Sequence, residues 1–311
     1  MGTPDFAVPA LVAVARACDV VAVVTQPDRP RGRGLEHAGS AVALEAGHLG
    51  LEVMKPERVN TPELRAGLAG LEPDLFAVVA FGAILGADLL RVPKLGAINL
   101  HGSLLPDYRG ASPVQRALWD GRGWSGVTTL WMDEGIDTGD VILQRWHPIG
   151  ADDDAGSLAR VLAALGAPLL AESLALVRAG RAPRRAQEKS AGSYAGKLTK
   201  RDGEVNWALD AVTVWNHQRA VTPWPGAAAS FQGRRLQVLA ARPLDLLARA
   251  DAPGTVLGVE GDGVTVACGR GALSLVRLKP EGRSEMGAAE WARGARVSAG
   301  ATFDLEKEAH A

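Results

Sequence analysis

The sequence predicts an α/β chain: an open, mostly parallel Rossmann-like sheet followed by a small β-barrel domain. Three observations predict it. Through the first 180 residues, short runs rich in Val, Ile or Leu alternate with helix-like stretches, as in a parallel sheet with helical crossovers. Beyond residue 200, short strand-like runs follow one another between Gly, Asp and Pro turns, the pattern of a small antiparallel barrel. Between the two, Gly180–Gly196 is polar and Arg-rich without apolar periodicity, so it reads as a linker. The expected domains are therefore 1–180, a linker over 181–197, and 198–311.

In chain order, Val20–Thr25, Asp74–Phe81, Ala97–His101, Val127–Met132 and Val141–His147 read as strands. Pro9–Cys18, Ala41–Leu49, Pro113–Asp120 and Leu158–Ala179 read as helices. Ser112-Pro113 supplies a polar N-cap and a proline at the first helical position. In the second half Leu209–Val221 reads as a helix. Ala227–Phe231, Leu236–Ala241, Thr255–Val259, Val264–Ala267 and Leu273–Lys279 read as strands.

Composition narrows the class. The 311 residues suffice for two domains, and 47% hydrophobic against 22% charged residues is a folded, soluble balance. Two cysteines, Cys18 and Cys268, are too few for a disulfide framework or a zinc site, which fits a reducing cytoplasm. The apolar runs are not expected to span a bilayer, and the amino terminus lacks the pattern of a signal peptide. The net charge of −1 hides an asymmetry. Residues 181–311 carry 19 Lys and Arg against 14 Asp and Glu, whereas the first 180 carry 15 against 21. A basic second half suggests a polyanionic partner, though an Arg-rich solvated surface explains it as well.

Ala97–Gly110, AINLHGSLLPDYRG, carries the chemistry. Strand alternation puts Asn99 and His101 on one face and Ile98 and Leu100 on the other. An amide and an imidazole at a strand's carboxyl end could stabilise the oxyanion formed when a nucleophile attacks a carbonyl. A lone strand histidine is more often structural; Asn99 two residues earlier and the following turn raise the functional reading. The other histidines offer no pair at metal-ligand spacing, so no metal is expected. Asp137, in DEGIDTGD, lies between two strand candidates, and the loop lacks the alternating ligands of a calcium site. The Gly-x-Gly of Arg29–Gly34, after a strand, tempts a dinucleotide reading, but the third glycine is absent. Lys197, Lys200, Arg201, Arg219, Arg234 and Arg235 are candidate phosphate contacts.

INLHGSLLPDYRGASPVQRAL resembles the signature of the folate-dependent formyltransferases. GTPDFAVPAL, TQPDRPRGRG, VVAFGAILG, EGIDTGDVI, YAGKLTKRDGEVNW, RAVTPWPG and GRGALSLVRLKPEG extend the match from residue 2 to about residue 290. Matches beyond residue 200 point to the tRNA-directed branch, and the resemblance implies that the second, barrel domain is OB-like. The resemblance implies transfer of a formyl group from 10-formyltetrahydrofolate to the methionine α-amine of initiator methionyl-tRNA. It implies Asn99, His101 and Asp137 as the catalytic set, with the Asp137 carboxylate reaching the imidazole. It also implies a folate pocket bordered by Phe81, Ala83, Ile84, Leu85 and Ser103, Leu104, Leu105, Pro106. Arg33, Lys197, Lys200 and Arg201 are the expected tRNA contacts, although Leu35-Glu36 follows where the family usually has a lysine pair. No membrane partner is expected, and the chain is expected to act as a monomer. Two alternatives stay open: an N-formyltransferase for an amino-sugar nucleotide, and a non-catalytic folate- or tRNA-binding module. Finally, the family places an apolar strand ahead of GTPDFA, which Met1-Gly2-Thr3 does not supply. Without it, unpaired backbone and exposed apolar surface are expected.

Overall fold

The structure, a computed structural model, describes residues 1–31, 36–188, 190–244 and 251–304. It divides into two compact units. The first takes Met1–Pro113, Trp124–Pro148 and Ala159–Gly196; the second takes Val114–Gly123, Ile149–Leu158 and Lys197–Ala311.

In the first unit, α1 (Val8–Ala17) leads to β1 (Val23–Val24) and a short antiparallel pair, β2 (Arg29–Arg31) and β3 (Glu36–Ala38). Then come α2 (Ala41–His48), β4 (Val53–Met54), α3 (Pro62–Gly70), β5 (Phe76–Val79), α4 (Ala87–Leu90) and β6 (Ala97–His101). The Ser40 hydroxyl caps α2 and Thr61 caps α3, each accepting from the backbone three residues on. β1 pairs β4 and β5 pairs β6 in parallel. After β7 (Arg109–Gly110) and α5 (Pro113–Trp119), the hairpin β8 (Trp124–Trp131) and β9 (Val141–Pro148) continues the sheet antiparallel, in the order β5-β6-β8-β9.

α6 (Ala155–Arg178) is 24 residues, long and apolar enough to cross a membrane, contrary to the expectation from the sequence. Its apolar side is spent inside the fold instead: Leu158, Leu162, Leu169 and Leu170 are fully buried. Gly166 lets the helix sit directly on β6, because a side chain there would come within 2.7 Å of Leu100.

Ahead of α1, Gly2 bridges Val79 in parallel, its N–H donates to the Val24 carbonyl (3.0 Å), and Val79 N–H donates to the Met1 carbonyl (2.9 Å). Two residues thus join β1 to β5, and behind them lies a cavity of about 730 Å³ lined by Val14, Val21, Leu75, Ala77, Leu170 and Leu174. Val20–Thr25, expected as a strand, pairs only over Val23–Val24.

In the second unit α7 (Ala211–Ala220) precedes β11 (Ala227–Phe231), β12 (Arg234–Leu244), β13 (Val256–Glu260), β14 (Gly263–Ala267) and β15 (Ala272–Pro280). β16 (Met286–Gly287), α8 (Ala288–Ala295) and β17 (Phe303–Asp304) complete it; β10 (Tyr194–Ala195) belongs to the first unit. The antiparallel order is β13-β14-β15-β12-β11-β17. Bonds between Thr255–Val256 and Gly300–Thr302 curl the sheet back towards its other edge. Inside lies an aromatic core of Trp207, Phe231, Trp291 and Phe303.

The boundary differs from the expected 1–180 division. Arg219, 7% exposed, donates to the Gly150 carbonyl (3.0 Å) and to Asn216 Oδ1 (2.8 Å). Trp119 meets His217 edge-on at 4.6 Å. These contacts bind 114–123 and 149–158 to α7 although they precede it by many residues.

Candidate active site

β6 delivers Asn99 and His101 to the carboxyl end of the parallel strands, where α/β sheets place their ligands. Asp137 comes from the loop joining β8 to β9. It holds a left-handed backbone, φ 54°, which is uncommon for a residue with a side chain. The loop is shaped by Asp133, whose Oδ1 accepts Gly135 N–H (3.0 Å) and the Thr138 hydroxyl (2.7 Å). Gly139 is required there, since any side chain would run into the Trp131 carbonyl.

The three groups converge. Asn99 Nδ2 donates to Asp137 Oδ1 at 3.1 Å, and Gly110 N–H donates to Asp137 Oδ2 at 2.8 Å. His101 Nδ1 lies 3.5 Å from Asp137 Oδ2, and Nε2 lies 2.9 Å from the Tyr108 carbonyl. A carbonyl only accepts, so Nε2 carries the hydrogen and fixes the tautomer. Nδ1 then turns its lone pair towards the carboxylate. His101 is 5% exposed, so the ion pair it can form is shielded from water.

The loop after β6 is anchored from the sheet. The Thr128 hydroxyl donates to the Ser103 carbonyl (2.7 Å) and accepts from Leu105 N–H (3.1 Å); Gln144 Nε2 donates to the Leu105 carbonyl (2.8 Å). Ser103 Oγ donates to the Asp107 carbonyl (2.6 Å). Leu104 and Pro106 are half-buried, and Leu105 is buried against Leu130 and Val141. Of the other expected folate-lining residues, Phe81 and Leu85 lie in the core, Ala83 is half-buried and Ile84 is 66% exposed. Asn60 holds this turn by donating to the Ile84 carbonyl (2.9 Å) and accepting from Gly86 N–H (2.7 Å).

Among the basic candidates, Lys197, Lys200, Arg201 and Arg234 are exposed. Arg235 pairs with Glu204, and Arg219 is buried in the network described above, which removes it as a phosphate contact. Arg33 lies outside the described residues. Among the described residues no cluster of three His, Cys, Asp or Glu side chains could hold a metal.

Sequence reasoning missed the role of 185–195. This run, expected as a linker, is bonded across both site loops: β10 pairs β7 in parallel, Tyr108 N–H donates to Ser193 Oγ (3.0 Å), and Arg185 bridges Val141. Such side-chain-to-backbone bonds leave no periodic trace in a sequence.

Residues 8–174 match the formyl transferase family model, and 197–296 match the C-terminal domain of formyl transferases. A methionyl-tRNA formyltransferase of Anaeromyxobacter dehalogenans is 47% identical over 299 residues, 95% of this chain and 96% of that protein. Those of Stenotrophomonas maltophilia (46%, 93% and 94%) and Citrifermentans bemidjiense (42%, 96% and 94%) are similar along the same span. Among solved structures, the sugar 3N-formyl transferase WlaRD shares the fold at a TM-score of 0.66, with 15% identity over 91% of this chain and 97% of its own. HypX from Aquifex aeolicus, in complex with tetrahydrofolic acid, does so at 0.58, with 22% identity over 80% of this chain and 43% of its own. With both halves matched and relatives alike along nearly its whole length, this chain belongs to the formyl transferase family.

Proposed function

We propose that this chain transfers the formyl group of 10-formyltetrahydrofolate to the α-amine of methionine on initiator methionyl-tRNA. The observation that carries the reading is the meeting of Asn99 and His101 at Asp137, 3.1 Å and 3.5 Å from its carboxylate oxygens, in a chain alike along nearly its whole length to methionyl-tRNA formyltransferases. The neutral amine attacks the formyl carbon, and a carbon–nitrogen bond forms while the carbonyl electrons move to oxygen. Asn99 spends one amide hydrogen on Asp137 and offers the second to that oxyanion, together with His101 when Nδ1 is protonated. Asp137 stabilises the imidazolium and relays the proton lost by the amine, which ends on folate N10 as the bond from N10 to the formyl carbon breaks. Ile84, Leu104 and Pro106 form the apolar wall beside the donor, with the other residues of the Phe81–Leu85 and Ser103–Pro106 turns shaping it. Exposed Lys197, Lys200 and Arg201 contact tRNA phosphates. The reaction needs no metal and no covalent enzyme intermediate, and a monomeric cytoplasmic protein suffices for it.

The test is a choice of acceptor. With 10-formyltetrahydrofolate present, the protein is offered aminoacylated initiator tRNA or an amino-sugar nucleotide. Formylation of the methionyl-tRNA is the expected result. Formylation of the sugar alone would replace the reading, and formylation of neither would leave a binding module.

A further inference from the structure

The run 185–195 crosses the site, and one side chain in it grips both catalytic loops at once. Gln187 Nε2 donates to the Asp137 and Gly139 carbonyls, both at 2.8 Å. Gln187 Oε1 accepts from Arg109 Nε (3.1 Å) and Nη2 (2.9 Å). Both amide hydrogens and both lone pairs are thereby used. Arg109 sits between the two residues that fix the catalytic groups from the other side: Tyr108, whose carbonyl meets His101, and Gly110, whose N–H meets Asp137. The bridge is specific to an amide. A glutamate would set a carboxylate oxygen, an acceptor, against two carbonyls, and a lysine would have nothing to offer the guanidinium. It is also placed where the backbone requires a constraint, at the left-handed Asp137, a conformation that costs of order 1 kcal/mol and persists only when its surroundings hold it.

We propose that Gln187 is a positioning residue for formyl transfer: by bridging the 133–140 loop to Arg109, it holds the Asp137 carboxylate in register with His101 and Asn99. The catalytic half of this rests on the proposed function; the geometric half does not. The rest of the run stays pinned without Gln187, because Arg109 N–H donates to the Ser193 carbonyl (2.9 Å) and Ser112 N–H to the Ala195 carbonyl (3.2 Å).

The test compares Gln187→Glu and Gln187→Ala with the full-length wild type. Each is expected to lower kcat roughly 10-fold, with KM for folate and acceptor changed less than about 2-fold, as for loss of an aligned group rather than of a binding contact. In an Asp137→Asn background the same substitutions add less than about 2-fold, because they act through that carboxylate. Amide exchange supplies a readout free of activity: the Gly110 N–H, bonded to Asp137, exchanges roughly 10-fold faster in Gln187→Ala while the Leu100 amide in β6 keeps its protection. Unchanged kcat in both folded variants would overturn the proposal, and so would an undiminished effect in the Asp137→Asn background. Unchanged Gly110 exchange would overturn it even if the wild type proved unable to formylate any acceptor.

Discussion

At the His101 end of the first unit, the β6–β8 side of the sheet and the loops above it spend their polar groups on one another. Asp137 takes hydrogen bonds from Asn99 and Gly110, Thr128 satisfies two backbone groups of the 103–105 loop, and Gln187 ties the two loops together. Across the same unit, between β1 and β5, two residues join the strands and a cavity of about 730 Å³ stands behind them. One region is held by directional bonds between residues far apart in sequence, the other by whatever apolar surface can be covered. The difference teaches that geometry and stability are assigned to separate places: loosening the bonded region alters rate, and filling the open region alters stability.

The largest effect expected is at the bonded end. Asn99→Ala removes the proposed oxyanion donor and is expected to lower turnover roughly 10²–10³-fold with little change in thermal midpoint, measured as single-turnover formylation beside a melting curve. A large fall in midpoint with turnover preserved would erase the contrast.

A smaller effect, of the opposite kind, is expected at the open end. Ala77→Val adds two carbon atoms to the wall of that cavity. Their burial, at about 0.8 kcal/mol each, raises the thermal midpoint by roughly 3–5 °C, while kcat stays within about 2-fold. A fall in kcat with no rise in midpoint would show that the two regions are not separable.

What the sequence revealed and what it hid divide along the same line. Ala97–His101 was legible because alternation, the terminal Asn-x-His and the following Gly102 all point to one strand end, and β6 has those bounds. Ala227–Phe231 was legible for its compact β-prone run between turns. Gln187 was not, since its partners are the carbonyls of Asp137 and Gly139, and every residue type offers a carbonyl. The reassignment of 114–123 and 149–158 was hidden for a related reason: it depends on Arg219, which composition reads as a surface charge and the fold buries. α6 was legible as a helix, read over Leu158–Ala179 and found over Ala155–Arg178, its length and apolarity being what a central core helix and a membrane span have in common.

The central claim is that an imidazole from a strand end and a carboxylate from a loop work as one unit. A double-mutant cycle on single-turnover formylation of methionyl-tRNA, with His101→Ala, Asp137→Asn and the pair, tests it most directly. The account predicts that each single change costs roughly 10²–10³-fold and that the pair costs scarcely more than either alone. Losses that multiply in the double mutant would mean that the two side chains act independently, and the proposed relay between them would fail.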